Sequence, residues 1–232
     1  MLATRCQQAP GQRLDLHSQK RKYQDGKSGI PVRMTRLTAT LALALSACST
    51  PPPPDHPEAP APAAATTAAI TSLIGTTPPA WQAERWMNSP PLELARLRGS
   101  VVLVRWWTSG CPYCSTTAPS LRKLDQTFGA RGLRVIGMYH HKEETPFDPK
   151  VYEDTAKKYE LTFPIAFDAD WKTLRSWLRD KTGQPVDTGW TSVTFLLDKQ
   201  GTVRQVHPGG SYVEGDPAYA DMQATIERLL AE

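Results

Sequence analysis

The chain has 232 residues, 40% apolar and 22% charged, close to globular averages, which excludes fibrous repeats and wholesale disorder. Its net charge of +4 is concentrated at one end: residues 1–47 carry eight Lys/Arg against two Asp/Glu, and the remainder holds 19 basic and 21 acidic residues. That balance excludes the basic footprint of a nucleic-acid binder, and four cysteines are too few to staple a domain of this length.

In chain order, residues 1–33 hold scattered charges and no apolar run. Leu37–Ala47 (LTATLALALSA) then gives eleven apolar or small residues. This is short of the ~20 that a membrane-spanning helix needs, and it matches the apolar core of an export signal. Arg33 and Arg36 supply the positive flank, and Met34 makes a natural start. Residues 34–47 then read as the signal peptide, with 1–33, including Cys6, as an upstream extension. Leu45-Ser46-Ala47-Cys48 resembles the lipobox of bacterial lipoproteins, which implies a diacylated Cys48 at a new N-terminus and a membrane anchor. Two or three acyl chains hold firmly where one holds marginally. The Pro-rich and Ala/Thr-rich stretch that follows buries no core and reads as a disordered tether over 48–80. All seven tryptophans lie at or beyond Trp81, so the folded domain is expected at 81–232.

Ser100–Trp107 (SVVLVRWW) lacks alternation, the pattern of a strand buried on both faces. A helix is expected over Cys111–Phe128, then a second buried strand at Leu133–Tyr139, which makes a parallel pair with a right-handed crossover. Val151–Glu160 reads as a helix, Pro164–Phe167 as a short extended piece, and Asp170–Arg179 as another helix. Ser192–Leu197 and Thr202–His207 form a hairpin around the Asp198–Gly201 turn. Asp216 caps a last helix with Pro217 at its first position. The order predicts an α/β domain of thioredoxin-like fold, a mixed central β-sheet flanked by helices on both faces.

Cys111-Pro112-Tyr113-Cys114 falls where a buried strand gives way to a helix. Residues i and i+3 share a helix face, so the two sulfurs can close a disulfide. The free N–H groups of the helix mouth favour a Cys111 thiolate, and Pro112 sits where its missing N–H costs nothing. A zinc half-site is the other reading of such a pair, but the second pair of ligands is missing. Cys111 is therefore expected to be the nucleophile and Cys114 the resolving thiol, with no cofactor beyond their redox-active disulfide and no metal.

These residues sit among further ordered motifs: Val101 through Cys114, Pro119, Gly132-Leu133-Arg134-Val135-Ile136-Gly137, Tyr159 through Pro164 and Thr194 through Gly201. Together they resemble the extracytoplasmic TlpA/ResA branch of thioredoxin-like thiol–disulfide oxidoreductases. The resemblance implies a periplasmic, membrane-tethered enzyme that exchanges disulfides with exported proteins, apocytochrome c among them, most often as a reductase. It also implies an upstream membrane electron donor.

Three departures stand out. The family's cis-proline position is Ser192, after Thr191, and a cis non-proline bond costs about 2.5–4 kcal/mol, so this peptide is expected trans. The Glu that often follows the second cysteine by three residues is Thr117. Arg105 replaces the buried Asp of thioredoxin itself; a buried Arg needs a partner, and Glu93 is one carboxylate for the role. Trp107, Trp190, Pro112 and Tyr113 are expected to support the site, with Trp190 either an apolar platform or ordinary packing. His140 and His141 end a parallel strand on the cysteine edge of the sheet, near the sulfurs or solvated in a loop. Two other functions share these residues. In a peroxidase Thr108 fits, but Val104 stands at the required Pro and no Arg is visible at Thr191 or Ser192. In a copper-delivery module His140 or His141 joins the soft thiolates.

Overall fold

The computed structural model describes residues 64–232. The expected leader with Cys6, the expected lipidation at Cys48 and the part of the expected tether up to residue 63 lie outside these residues. Six strands form one mixed sheet in the order β1-β4-β3-β2-β5-β6. They are β1 (Glu84–Met87), β2 (Val101–Trp107), β3 (Leu133–Tyr139), β4 (Ile165–Phe167), β5 (Thr194–Leu197) and β6 (Val203–His207). β2, β3 and β4 run parallel, and β1, β5 and β6 each pair antiparallel with their neighbour.

β2 is the centre, and all seven of its residues are buried. Val101, Leu103 and Trp107 join one core, and Val102, Val104 and Trp106 join the other. Two apolar faces explain the unalternating sequence. The first core is closed by α2 (Pro112–Phe128), α3 (Pro149–Lys158) and α5 (Pro217–Ala231). The second is closed by α1 (Ala64–Leu73) and α4 (Lys172–Trp177). This is the thioredoxin-like α/β architecture. Strand alternation puts Arg105 on the face covered by α2, the helix that carries the cysteines.

Folded structure reaches further upstream than the tryptophan distribution suggests. α1 and the strap after it lie inside the stretch read as tether, yet Ile70 and Leu73 are buried in the second core. The Gly75 N–H donates to Val203 O at 2.8 Å, and the Val203 N–H donates to Thr76 O at 2.9 Å. Two apolar residues three apart are too faint a stripe to announce a helix. β1 is likewise absent from the predicted elements.

The helix expected over 170–179 is shorter. A 3₁₀ turn, Ala169–Trp171, precedes α4, and Asp170 and Trp171 adopt positive φ values of 53° and 60°. Asp168 organises this bend from inside. Its buried carboxylate accepts from Trp106 Nε1 at 2.9 Å, the Thr173 N–H at 2.8 Å and the Leu174 N–H at 2.9 Å. Three donors offset the desolvation of one buried charge. Among the described residues no helix is long and apolar enough to cross a membrane.

Candidate functional site

β2 ends at Trp107, and the chain turns through Thr108, Ser109 and Gly110, the last at a φ of 69°. Cys111 is the N-cap of α2 rather than its first residue, with extended φ/ψ of −82° and 115°. Its Sγ accepts the Cys114 N–H at 3.3 Å. The helix itself starts at Pro112, whose ring presets the first turn. Both cysteines are free thiols, Cys111 half-buried and Cys114 buried at 4% exposure.

Their surroundings make the two thiols unequal. The Cys111 thiol is pulled down to about 6, chiefly by the Cys114 thiol donating to it. Burial opposes this, while the Cys114 N–H, the Arg105 charge and the Tyr113 backbone add to it. The Cys114 thiol is pushed up, first by that same sulfur–sulfur hydrogen bond and then by burial. One sulfur is ionised and reachable at neutral pH; the other is protonated and covered.

Beside Cys111 opens a groove of about 880 Å³, with Tyr113, Trp171 and Trp190 on its walls and Thr191 and Ser192 on the opposite lip. Tyr113 and Trp190 meet edge to face. The Thr191–Ser192 bond is trans, like every peptide bond among the described residues. Trp107 lies elsewhere. It is buried among Tyr139, Tyr152 and Tyr159, with ring centroids 4.9, 6.2 and 6.2 Å away. Gly137 leaves room for it, since a Cβ there would sit 3.1 Å from Trp107 Nε1. Trp107 thus supports α2 from below and does not face the groove.

Arg105 is buried at 1% exposure. It donates to Thr194 Oγ1 at 3.1 Å and Gly210 O at 2.6 Å, and lies over the Tyr212 ring at 5.5 Å. Glu93 is not its partner, because that carboxylate is exposed and pairs with Arg96. Thr117, also buried, donates to Tyr113 O at 2.8 Å and accepts the Tyr212 N–H at 3.3 Å.

The histidines do not reach the sulfurs. His140 is fully buried, its ring 4.5 Å from Trp171, and burial with the nearby Lys142 charge lowers it to about 4. His141 pairs with Glu143 at 3.1 Å. The groove is lined instead by the next two residues, Lys142 and Glu143. Among the described residues no three His, Cys, Asp or Glu side chains gather as metal ligands, so the copper reading lacks its third ligand. The peroxidase reading fares no better, since Val104 stands at the required Pro and the lip opposite Cys111 holds Thr191 and Ser192.

Sequence reasoning missed Trp171, Arg175 and Glu143 as groove residues. Trp171 is held there by its left-handed backbone and by Nε1 donating to His141 O at 3.0 Å. No local pattern announces a bulky residue at positive φ.

The model of the AhpC/TSA family matches residues 74–206, more than half of the chain. The chain belongs to the AhpC/TSA family. Protein DipZ of Mycobacterium bovis is 31% identical over 169 residues, covering 70% of this chain and 22% of DipZ. Thiol-disulfide oxidoreductase ResA of Halalkalibacterium halodurans is 28% identical over 125 residues, covering 53% of this chain and 62% of ResA. The chain thus spans about a fifth of DipZ and under two thirds of this ResA. The crystal structure of thioredoxin-like superfamily protein SPOA0173 superimposes with a TM-score of 0.52 at 25% identity, over 67% of this chain and 97% of that one. The AhpC/TSA match begins at residue 74, in the strap after α1, ahead of the first tryptophan.

Proposed function

We propose that this protein is a thiol–disulfide oxidoreductase held by lipid on Cys48 at the extracytoplasmic face of a bacterial membrane, where it reduces disulfides of exported proteins. The observation that carries the reading is the inequality of the two thiols: an ionised Cys111 at the mouth of α2 and a protonated Cys114 buried behind it. The thiolate is the attacking species in disulfide exchange. The likeness to ResA, a protein whose name states this activity, supports it.

In the forward direction the Cys111 thiolate attacks one sulfur of a substrate disulfide. The substrate S–S bond breaks, a Cys111–substrate bond forms, and the released sulfur leaves as a thiolate. Cys114 then loses its proton to that leaving thiolate and attacks Cys111 Sγ. The Cys111–Cys114 disulfide closes, and the second substrate sulfur leaves and takes a proton from water. Two electrons and the Cys114 proton pass from the protein to the substrate, water supplies the second proton, and a membrane electron donor returns the electrons by the reverse exchange. Thr117 offers no carboxylate to carry the Cys114 proton, which is why the leaving thiolate takes it. No other cofactor and no nucleic acid take part. Apocytochrome c, with its cysteine pair oxidised to a disulfide, fits the substrate class.

The Pro-Tyr pair between the cysteines is that of glutaredoxins, whose potentials lie near −200 to −230 mV. With a stabilised thiolate, the potential is expected above the thioredoxin value of about −270 mV. Such a poise leaves structural disulfides, below about −300 mV, intact and restricts reduction to strained or exposed ones. Insulin reduction by the full chain, paired with a glutathione redox titration, tests the activity; no turnover by the reduced protein rejects it. Detergent partitioning of the chain expressed with its own leader tests the anchor. Wild type is expected in the detergent phase and Cys48→Ala in the aqueous phase with its thiol chemistry unchanged.

A further inference from the structure

We infer that the Arg105 guanidinium is the buried counter-charge of the Cys111 thiolate, and that it sets how readily the pair gives up its electrons. The inference rests on the thiol chemistry proposed above and deepens it.

Apart from Cys111, the groups that face Arg105 are uncharged. From β5 comes Thr194 Oγ1, from the loop before α5 come Gly210 O and the face of Tyr212, and Arg105 Nε has no partner at all. From β6 comes His207, which burial and the Arg105 charge hold in the neutral form, lowered to about 3. α2 covers the same face of β2 and is tied to the ring under Arg105, the Tyr212 N–H donating to Thr117 Oγ1 at 3.3 Å three residues on from Cys114. Of Cys111, Cys114 and Thr117 only Cys111 takes a negative charge at neutral pH. Tyr159, at the end of α3, is a phenol pushed up by burial and by the two cysteines. Asp216, whose charge reaches Tyr212, accepts the Val213 and Tyr219 N–H groups at 2.7 Å each and caps α5. Arg105 forms no ion pair with any carboxylate among the described residues.

A buried cation without an anion is strongly disfavoured. In the reduced protein the Cys111 thiolate supplies that anion, and Arg105 in turn lowers both cysteines. Oxidation by glutathione disulfide removes two electrons, releases the Cys114 proton, joins the sulfurs and erases the negative charge, while the guanidinium remains. The disulfide form therefore carries an uncompensated cation that the dithiol form does not. Arg105 biases the couple toward the reduced state, the opposite of what a buried carboxylate does at the same place.

The experiment uses the full chain and reads three quantities: the equilibrium with glutathione at pH 7, the pH profile of Cys111 alkylation, and the melting temperatures of the two redox forms. Arg105→Met fills the space without the charge. It should shift the glutathione equilibrium at least tenfold toward the disulfide, about 30 mV for this couple, and raise the Cys111 alkylation midpoint by about one pH unit. Arg105→Lys should retain most of the wild-type behaviour. Thr194→Asp, which sets an anion beside an intact Arg105, should move both readings in the same direction as Arg105→Met. An unmoved equilibrium and alkylation midpoint in either Arg105→Met or Thr194→Asp overturns the inference. In the wild type the reduced form should melt above the oxidised form at pH 7; the reverse order overturns it whether or not the variants fold. Failure of wild-type insulin reduction would reject the activity itself, whereas active variants with unchanged equilibria reject only the role of Arg105.

Discussion

The Trp190 indole meets the Tyr113 ring at right angles, with centroids 5.2 Å apart and planes at 89°. Tyr113 stands between the two cysteines in sequence, and Trp190 comes from the loop before β5, so the contact ties the opposing lip of the groove to the helix mouth. Gly209 makes it possible. Its φ is 143°, and a Cβ there would lie 2.2 Å from Trp190 Cβ.

This aromatic wall should matter for protein substrates and not for small ones. Trp190→Ala is expected to lower kcat/KM for insulin by about tenfold, equivalent to 1.4 kcal/mol, and to leave the rate with a small aromatic disulfide nearly unchanged. Gly209→Ala should do the same by displacing the indole. Equal losses on both substrates would mean that the wall holds α2 in place and does not contact the substrate.

The roles of the thiols follow from their exposure. Cys114→Ser should accumulate mixed disulfides between Cys111 and its partners, visible on non-reducing gels, because no resolving thiol remains. Cys111→Ser should trap little, since Cys114 is protonated and buried. Equal trapping by the two variants would overturn the assignment.

Alkylation of the reduced protein by iodoacetamide should rise through a midpoint near pH 6, where the Cys111 thiol is held. The corresponding stability has a definite sign. A thiol lowered on folding stabilises the reduced protein fully above its unfolded value of 9.0 and loses that contribution as pH falls through about 6. The reduced protein should therefore lose its advantage in melting temperature over the oxidised protein as the buffer is taken from pH 8 to pH 5. A midpoint near the unfolded value of 9.0 would contradict the account of the helix mouth.

Two neutral histidines should make the oxidised protein acid-labile for a different reason. His140 is lowered to about 4 and His207 to about 3, each first by burial. Unfolded histidines take up protons below about 6.5 while these two do not, so stability falls between about pH 6.5 and 4. Unfolding in that window should absorb about two protons, giving a slope of about 1.4 kcal/mol per pH unit for each histidine. His140→Phe should halve the slope. An unchanged slope would assign the acid response elsewhere.

Much of this was legible in the sequence because burial leaves a compositional mark. β2 and β3 carry apolar side chains on both faces, and only a central strand tolerates that. The cysteine pair was legible because its spacing and its place after such a strand have one geometric consequence. The partners of Arg105 were not. Its acceptors are uncharged and come from Thr194 and Gly210, 89 and 105 residues along the chain, so no rule of charge pairing points to them. His140 and Lys142 are two apart, yet one is buried under Trp171 and the other lines the groove. That division is decided by how the chain leaves β3, which composition does not record.

The strap after α1 has a consequence for anyone shortening the protein. β6 closes one end of the sheet, and the Gly75 and Thr76 backbone takes up the hydrogen-bonding groups of Val203 that would otherwise face outward. A chain cut at residue 80, where the tryptophans begin, bares that strand border together with the apolar surface under Ile70 and Leu73. Unpaired strand borders recruit other strands. The shortened domain should therefore self-associate through β6 with its thiols still intact, whereas one that begins at Ala64 should stay dispersed.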